Sequence, residues 1–125
     1  MKKWYIYFVA MIAVFALAAC STDNKEGYVT IQIDEVAQKM KDGYVVLDVR
    51  EVNEFAEGHI PGAQNKPLSM LQAADFTELS KDEKYIVICR SGNRSQTASD
   101  ILQIEGYSII NVAQGMSSWT GDVEK

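Results

Sequence analysis

Short apolar segments alternate with more polar, helix-compatible segments along most of this chain. The apolar runs predict strands at 29–33, 44–47, 63–65, 85–88 and 108–111. The intervening patterns predict helices at 35–41, 53–57, 67–74 and 95–104, the last of them ended by Gly106. Strands that alternate with helices favour a mostly parallel sheet covered on both faces. Periodicity alone therefore indicates an α/β protein.

Two residues that can carry chemistry follow directly after apolar strands. Asp48 follows the strand at 44–47, and Cys89 follows the strand at 85–88. Ligands of parallel sheets bind outside the carboxyl ends of the strands, so both residues lie where a site is expected. Asp34, by contrast, is predicted to cap the helix that begins at Glu35.

The loop that begins at Cys89 has a composition that core packing does not require. It reads Cys-Arg-Ser-Gly-Asn-Arg-Ser and leads into a predicted helix. Backbone N–H groups of such a loop, together with the positive end of the helix dipole, form a cradle for anions. Sites of this kind lower a thiol pKa from about 8.5 to roughly 3.5–7.5. A lone cysteine is usually a small buried hydrophobic residue, but this loop favours an activated nucleophile.

Four segments together resemble the rhodanese family of sulfurtransferases, in the order in which that family has them. They are Val46–Arg50, Glu54–Ala63, Cys89–Ser95 and Gly115–Trp119, with Met116 where a second glycine is common. The resemblance covers about residues 28–121. It implies a rhodanese-like three-layer α/β/α domain over 28–125, with a mostly parallel five-stranded sheet. It also implies that Cys89 carries sulfur as a persulfide, with no metal or organic cofactor.

The same resemblance implies roles for the loop. Its N–H groups are expected to hold the terminal sulfur of the persulfide, and they belong to Arg90, Ser91, Gly92, Asn93, Arg94 and Ser95. The two arginines are expected to favour a small anionic sulfur donor such as thiosulfate. Cyanide or a thiol is the expected acceptor.

The remaining motif residues are expected to be mainly structural. Asp48 and Glu54 are expected to pair with Arg50 or with loop N–H groups. Arg50 either faces the pocket and holds the oxygens of the donor, or forms a structural ion pair. His59 is expected to hydrogen-bond to the backbone and hold the turn into Pro61, rather than to act as a general base.

The length of the loop separates two chemistries. Four residues lie between Cys89 and Arg94, whereas cysteine phosphatases have five between the corresponding Cys and Arg. The shorter ring of N–H groups suits a single sulfur atom better than a tetrahedral phosphate. We therefore expect sulfur transfer, and phosphatase or arsenate reductase activity is the less favoured hypothesis.

The first nineteen residues resemble a bacterial lipoprotein signal peptide. A basic start is followed by the uncharged apolar stretch from Trp4 to Ala19, which is short for a spanning helix of about 20 residues. Leu17–Cys20 resembles a lipobox, so we expect cleavage before Cys20 and lipidation of its thiol. A plain cleaved signal peptide and an uncleaved anchor are the alternatives. Residues 20–27 are predicted to be the lipidated cysteine and a flexible tether.

Charge and cysteine usage narrow the function further. A mature chain from Cys20 has ten basic and seventeen acidic side chains, a net charge of −7, which disfavours nucleic-acid binding. Arg50, Arg90 and Arg94 suggest a local cationic pocket on this acidic body. With Cys20 lipidated, Cys89 is the only free thiol, which excludes a disulfide, a Cys-x-x-Cys pair and a cysteine-based zinc site.

The sequence leaves two functional classes open. One is a thiosulfate sulfurtransferase held on the outer side of a bacterial membrane by its lipid. The other is an extracytoplasmic persulfide carrier, or a rhodanese-like binding or redox-sensing module, that shows little turnover and serves a partner such as a redox protein. A chain without a second, resolving thiol fits both classes.

Overall fold

In the computed structural model, which describes residues 27–125, five strands form one sheet in the order β1-β5-β4-β2-β3. They are β1 (Val29–Ile31), β2 (Val45–Asp48), β3 (Gln64–Asn65), β4 (Lys84–Ile88) and β5 (Ser108–Val112). Every neighbouring pair is parallel. The expected α/β fold with a five-stranded sheet is confirmed, and the described sheet is parallel throughout.

The helices agree with the predicted positions to within about two residues at most ends. They are α1 (Val36–Lys41), α2 (Val52–Glu57), α3 (Leu68–Gln72) and α4 (Asn93–Ile104). Single turns of 3-10 helix span Ile33–Glu35 and Met116–Ser118. The predicted end of the first strand is corrected, because Ile33 begins the turn that leads into α1.

The predicted cap at Asp34 is wrong. Asp34 lies inside the 3-10 turn, where its side chain makes no capping hydrogen bond. A capping box between Gln32 and Glu35 replaces it, in which the Gln32 N–H donates to the Glu35 carboxylate at 2.7 Å. Because the chain enters its helical conformation at Ile33, three residues before α1, the capping position moves upstream to Gln32.

The sheet separates two apolar clusters, because successive strand residues point to opposite faces. One cluster packs against α1 and comprises Ile31, Val36, Val46, Ile60, Ile86, Ile88, Ile110 and Val112. The other packs against α3 and α4 and comprises Leu47, Val49, Leu71, Tyr85, Val87, Cys89, Ala98 and Leu102. The alternation in β4 thus places Cys89 on the face that α4 covers.

The predicted signal peptide, the lipidated Cys20 and all of the predicted tether except Gly27 lie outside the described part of the chain. Within residues 27–125, no helix is long and apolar enough to cross a membrane.

Candidate active site

Cys89 lies at the carboxyl end of the central strand β4, where the loop turns back over it. The residue is 1% exposed, and its Sγ accepts a hydrogen bond from the Gly92 N–H at 3.1 Å. Gly92 precedes α4 and has a φ of +101°, in the left-handed region that favours glycine. A Cβ at this position would also collide with the Ala113 carbonyl oxygen. Glycine therefore allows the loop to close tightly around the sulfur.

The Cys89 thiol has a pKa below its ordinary value. Burial alone raises this pKa, because it disfavours the charged form, but hydrogen bonds to the sulfur outweigh that effect. They come from the side chain and backbone N–H of Ser95 and from the N–H groups of Gly92 and Ser91. The loop therefore stabilises a thiolate, as the strand–loop–helix pattern predicted.

The Ser95 hydroxyl is buried with several acceptors in reach. The Ser95 Oγ lies 3.1 Å from the Gly92 carbonyl oxygen and 3.4 Å from that of Val112. A hydrogen bond from the same hydroxyl to the Cys89 sulfur contributes to the lowered pKa of the thiol. A hydroxyl has a single proton to donate. Since a thiolate accepts more strongly than a neutral carbonyl, we infer that this proton goes to Cys89 when the thiol ionises.

The segment after β5 holds the backbone of the loop from the other side. The Met116 N–H donates to the Cys89 carbonyl at 2.8 Å, and the N–H and hydroxyl of Ser117 donate to the Arg90 carbonyl at 3.0 and 2.8 Å. Gly115 permits this approach, because a Cβ there would overlap the backbone of Cys89 and Arg90. Sequence reasoning marked Gly115 as part of a motif but missed the role of Ser117.

Arg50 forms a buried ion pair with Asp48. The Arg50 side chain is 9% exposed, and it donates to both Asp48 carboxylate oxygens, with the shortest contact at 2.7 Å. It also donates to the Gly58 carbonyl at 2.8 Å. Of the two roles considered for Arg50, this geometry favours the structural ion pair.

Arg94, in the first turn of α4, forms a bidentate ion pair with Glu54 of α2. The two guanidinium N–H groups contact the two carboxylate oxygens at 2.6 and 2.9 Å. Glu54 also caps its own helix by accepting the Glu51 N–H at 3.2 Å. The expectation that Glu54 pairs with Arg50 or with loop N–H groups is corrected: its ion-pair partner is Arg94.

His59 is held in a packed turn by contacts with Phe55 and Glu124. Its Nδ1 is 2.8 Å from the Phe55 carbonyl oxygen, and its ring stacks on the Phe55 ring at 3.7 Å. A carbonyl only accepts, so Nδ1 carries the proton. The backbone of His59 pairs with that of Glu124. The expected structural hydrogen bond of His59 is therefore present.

The part of the chain that the structure describes contains no group of three or more His, Cys, Asp or Glu side chains arranged to hold a metal ion. The groups assembled at the carboxyl edge of the sheet are instead a thiol, a ring of N–H donors and paired charges. Such a set suits covalent chemistry at a single sulfur atom.

A family model described as the rhodanese-like domain matches residues 32–122. This chain belongs to the rhodanese family. The rhodanese match includes Cys89 and the segment that holds its loop.

Relatives of the domain are named for sulfur chemistry. The "Putative sulfur carrier protein YrkF" of Bacillus subtilis is 34% identical over 83% of this chain, and the match spans 57% of that protein. The chain thus corresponds to little more than half of this relative. The "Sulfurtransferase" of Allochromatium vinosum is 33% identical over 71% of this chain and 85% of its own length. The "Thiosulfate sulfurtransferase GlpE" of Pseudomonas putida is 37% identical over 65% and 74%.

Solved structures show the same rhodanese fold. A rhodanese-related protein from Thermoplasma volcanium superimposes with a TM-score of 0.71 at 37% identity. This similarity covers 78% of this chain and 98% of the other. The expected rhodanese-like fold is thereby confirmed.

Proposed function

We propose that this domain transfers sulfane sulfur from a donor such as thiosulfate to a nucleophilic acceptor through a persulfide on Cys89. The observation that carries the proposal is the lowered pKa of Cys89, whose Sγ accepts the Gly92 N–H at 3.1 Å. Relatives named as sulfurtransferases support the reaction class. The identity of the donor and of the acceptor is part of the proposal.

The first step loads the cysteine. The Cys89 thiolate attacks the outer sulfur of thiosulfate, a new S–S bond forms, and the bond to the sulfonate sulfur breaks with release of sulfite. Charge balances, because a thiolate and a dianion become a persulfide anion and sulfite dianion. The loop N–H donors that lower the Cys89 pKa are placed to stabilise the persulfide anion in turn.

The second step transfers the sulfur from the Cys89 persulfide to the acceptor. Cyanide, or a thiolate in the cell, attacks the terminal sulfur of the persulfide and leaves as thiocyanate or a new persulfide. The Cys89 thiolate is regenerated with its charge unchanged. Neither step requires a metal or organic cofactor, since the electrons of each new bond come from the attacking nucleophile.

Replacement of the nucleophile tests the proposal. Purified full-length protein should form thiocyanate from thiosulfate and cyanide, and Cys89→Ser should abolish it. After thiosulfate alone, mass spectrometry should show the wild type heavier by one sulfur atom and Cys89→Ser unchanged. Ser118→Ala, which alters an exposed hydroxyl outside the sulfur cradle, is the control. Thiocyanate formation by Cys89→Ser at the wild-type rate would refute the mechanism.

Loop length supports sulfur rather than phosphorus as the transferred atom. The Gly92 N–H is already at hydrogen-bond distance from the sulfur, and the cradle closes over four residues before Arg94. We therefore expect no hydrolysis of an aryl phosphate. Robust aryl-phosphate turnover by the unmodified protein would overturn the assignment.

A persulfide carrier is the second candidate, favoured by the name of the Bacillus subtilis relative. A carrier loads as an enzyme does but releases its sulfur to small acceptors very slowly. Steady-state rates with cyanide and with a panel of thiols separate the two, because only an enzyme turns over many times per cysteine.

We also propose that the mature protein is held by a lipid on Cys20 at the outer side of a bacterial membrane. The sequence Leu17–Cys20 after an uncharged apolar run supports this placement. An extracytoplasmic thiol or redox protein is then the natural class of acceptor.

A further inference from the structure

The three arginines of the candidate site differ in how far their charge is compensated. Arg50 is paired with Asp48, and Arg94 is paired with Glu54. Within residues 27–125, the exposed guanidinium of Arg90 has no ion-pair or hydrogen-bond partner. Its backbone is nevertheless held, because Ser117 donates twice to its carbonyl. The site is therefore less cationic than its three arginines suggest.

Several negative groups lie close enough to Arg94 to raise its pKa. The hydrogen bonds that Arg94 donates to Glu54 are the main cause of the raised pKa of Arg94, and the charges of Cys89 and Glu51 contribute to that rise. Arg94 in turn is the main cause that lowers the pKa of Glu54 to about 2. Glu54 is thus ionised throughout any practical assay range, and its pair with Arg94 persists there.

A donor that approaches Cys89 meets this charge arrangement. Thiosulfate brings two negative charges towards a thiolate whose neighbouring arginine is already neutralised by Glu54. Repulsion between like charges a few ångströms apart is large where water is partly excluded. A persulfide carries at most one negative charge, and none when its outer sulfur is protonated, so it meets less of this repulsion.

We propose that Glu54 selects the sulfur donor by charge, and that the site favours persulfides of low charge over dianionic thiosulfate. The inference rests on the proposed sulfur transfer and specifies its donor class. Glu54 acts through Arg94 and is a positioning residue. Arg90, whose charge is not compensated, is then the arginine that attracts an anionic donor.

The loading step with such a donor balances. The Cys89 thiolate attacks the outer sulfur of R–S–SH, a new S–S bond forms, and the original S–S bond breaks to release the thiolate R–S⁻. The proton stays on the transferred sulfur until the Cys89 persulfide ionises. One anion is consumed and one is produced, with no outside oxidant or reductant.

The test compares Glu54→Gln with the wild type in single-turnover loading of the full-length protein. The probes are thiosulfate and the persulfide of N-acetylcysteamine, whose thiol carrier is uncharged. Loading is measured as the gain of one sulfur atom on Cys89. Gln keeps an oxygen that can accept the Glu51 N–H and one Arg94 N–H, so it removes charge with little change in shape. Glu57→Gln, an exposed carboxylate on the same helix, is the matched control.

We expect the wild type to load from the N-acetylcysteamine persulfide, which carries at most one negative charge, roughly tenfold faster than from thiosulfate at equal concentration. Glu54→Gln should raise the thiosulfate rate constant by roughly three- to tenfold and leave the persulfide rate constant unchanged. Glu57→Gln should change neither. Arg90→Ala should slow loading from thiosulfate only.

Several results would overturn the proposal. They are faster wild-type loading from thiosulfate, an unchanged thiosulfate rate in Glu54→Gln, and an equal change with both donors in that variant. The last result would show that the pair only supports the loop. Failure of the wild type to load from either donor would instead refute the proposed sulfur transfer, so the two failures are distinguishable.

Discussion

Removal of the Ser95 hydroxyl should raise the pKa of Cys89. Ser95 is fully buried in the first turn of α4, and its hydroxyl and N–H both stabilise the thiolate. Ser95→Ala removes the hydroxyl and keeps the N–H. The other backbone donors, from Gly92 and Ser91, also remain. The variant therefore isolates the contribution of one hydrogen bond to the charged sulfur.

The magnitude follows from the strength of that bond. A hydrogen bond to a charged group is worth about 1.5–3 kcal/mol, and one pKa unit corresponds to about 1.4 kcal/mol. The N–H groups left behind take over part of the stabilisation, so we expect a rise of about one unit. While the thiol is neutral, the hydroxyl proton can instead go to the Gly92 or the Val112 carbonyl, and loss of the hydroxyl should lower the unfolding free energy by about 1 kcal/mol.

The assay is the pH dependence of Cys89 alkylation by iodoacetamide, since only the thiolate reacts. The midpoint should move to higher pH in Ser95→Ala. Ser91→Ala is the matched control, because its exposed hydroxyl makes no hydrogen bond in the described structure and its N–H is retained. Coincident pH profiles for wild type and Ser95→Ala would refute the reasoning and leave the backbone N–H groups as the only effective donors.

The same lowered pKa predicts how stability depends on pH. The folded state holds Cys89 with a lower pKa than the unfolded chain, so it binds fewer protons between the two values. The unfolding free energy of wild type relative to Cys89→Ser should therefore rise with pH from the folded pKa up to about 8.5, and it should be constant above that. Urea denaturation across this range measures it; a difference that falls with rising pH would contradict the lowered pKa.

Three further predictions address the scaffold and the anchor. Arg50→Ala should lower the unfolding free energy by about 3–5 kcal/mol, because it leaves the buried Asp48 carboxylate without its partner; urea denaturation measures the loss. Gly115→Ala should lower both the melting temperature and the sulfur-loading rate, because its Cβ would overlap the Arg90 backbone. An unchanged loading rate would show that the loop backbone shifts to accommodate the added methyl group. Cys20→Ala should release the protein from the membrane fraction, and a variant as membrane-bound as the wild type would contradict lipid anchoring.

Local pattern was sufficient to locate the secondary structure and the nucleophile. Apolar runs marked the strands because alternate strand residues must enter the two cores, and Cys89 continues that alternation beyond β4. The polar loop after it predicted a lowered thiol pKa, since its N–H donors and the start of α4 follow directly in the chain. The misplaced cap at Asp34 shows the limit of local reasoning, because the 3-10 turn before α1 left no mark in the apolar pattern.

The charge balance of the site was decided by the tertiary structure. Glu54 and Arg94 are 40 residues apart in sequence, and they meet because the strand order brings the ends of β2 and β4 to one edge of the sheet. The Ser117 contact with the Arg90 carbonyl likewise depends on β5 lying beside β4. Sequence periodicity describes which face of an element is apolar, whereas ion pairing depends on distances between elements. The sequence alone therefore determined the fold class and the reactive sulfur, and only the folded chain determined which arginine remained uncompensated.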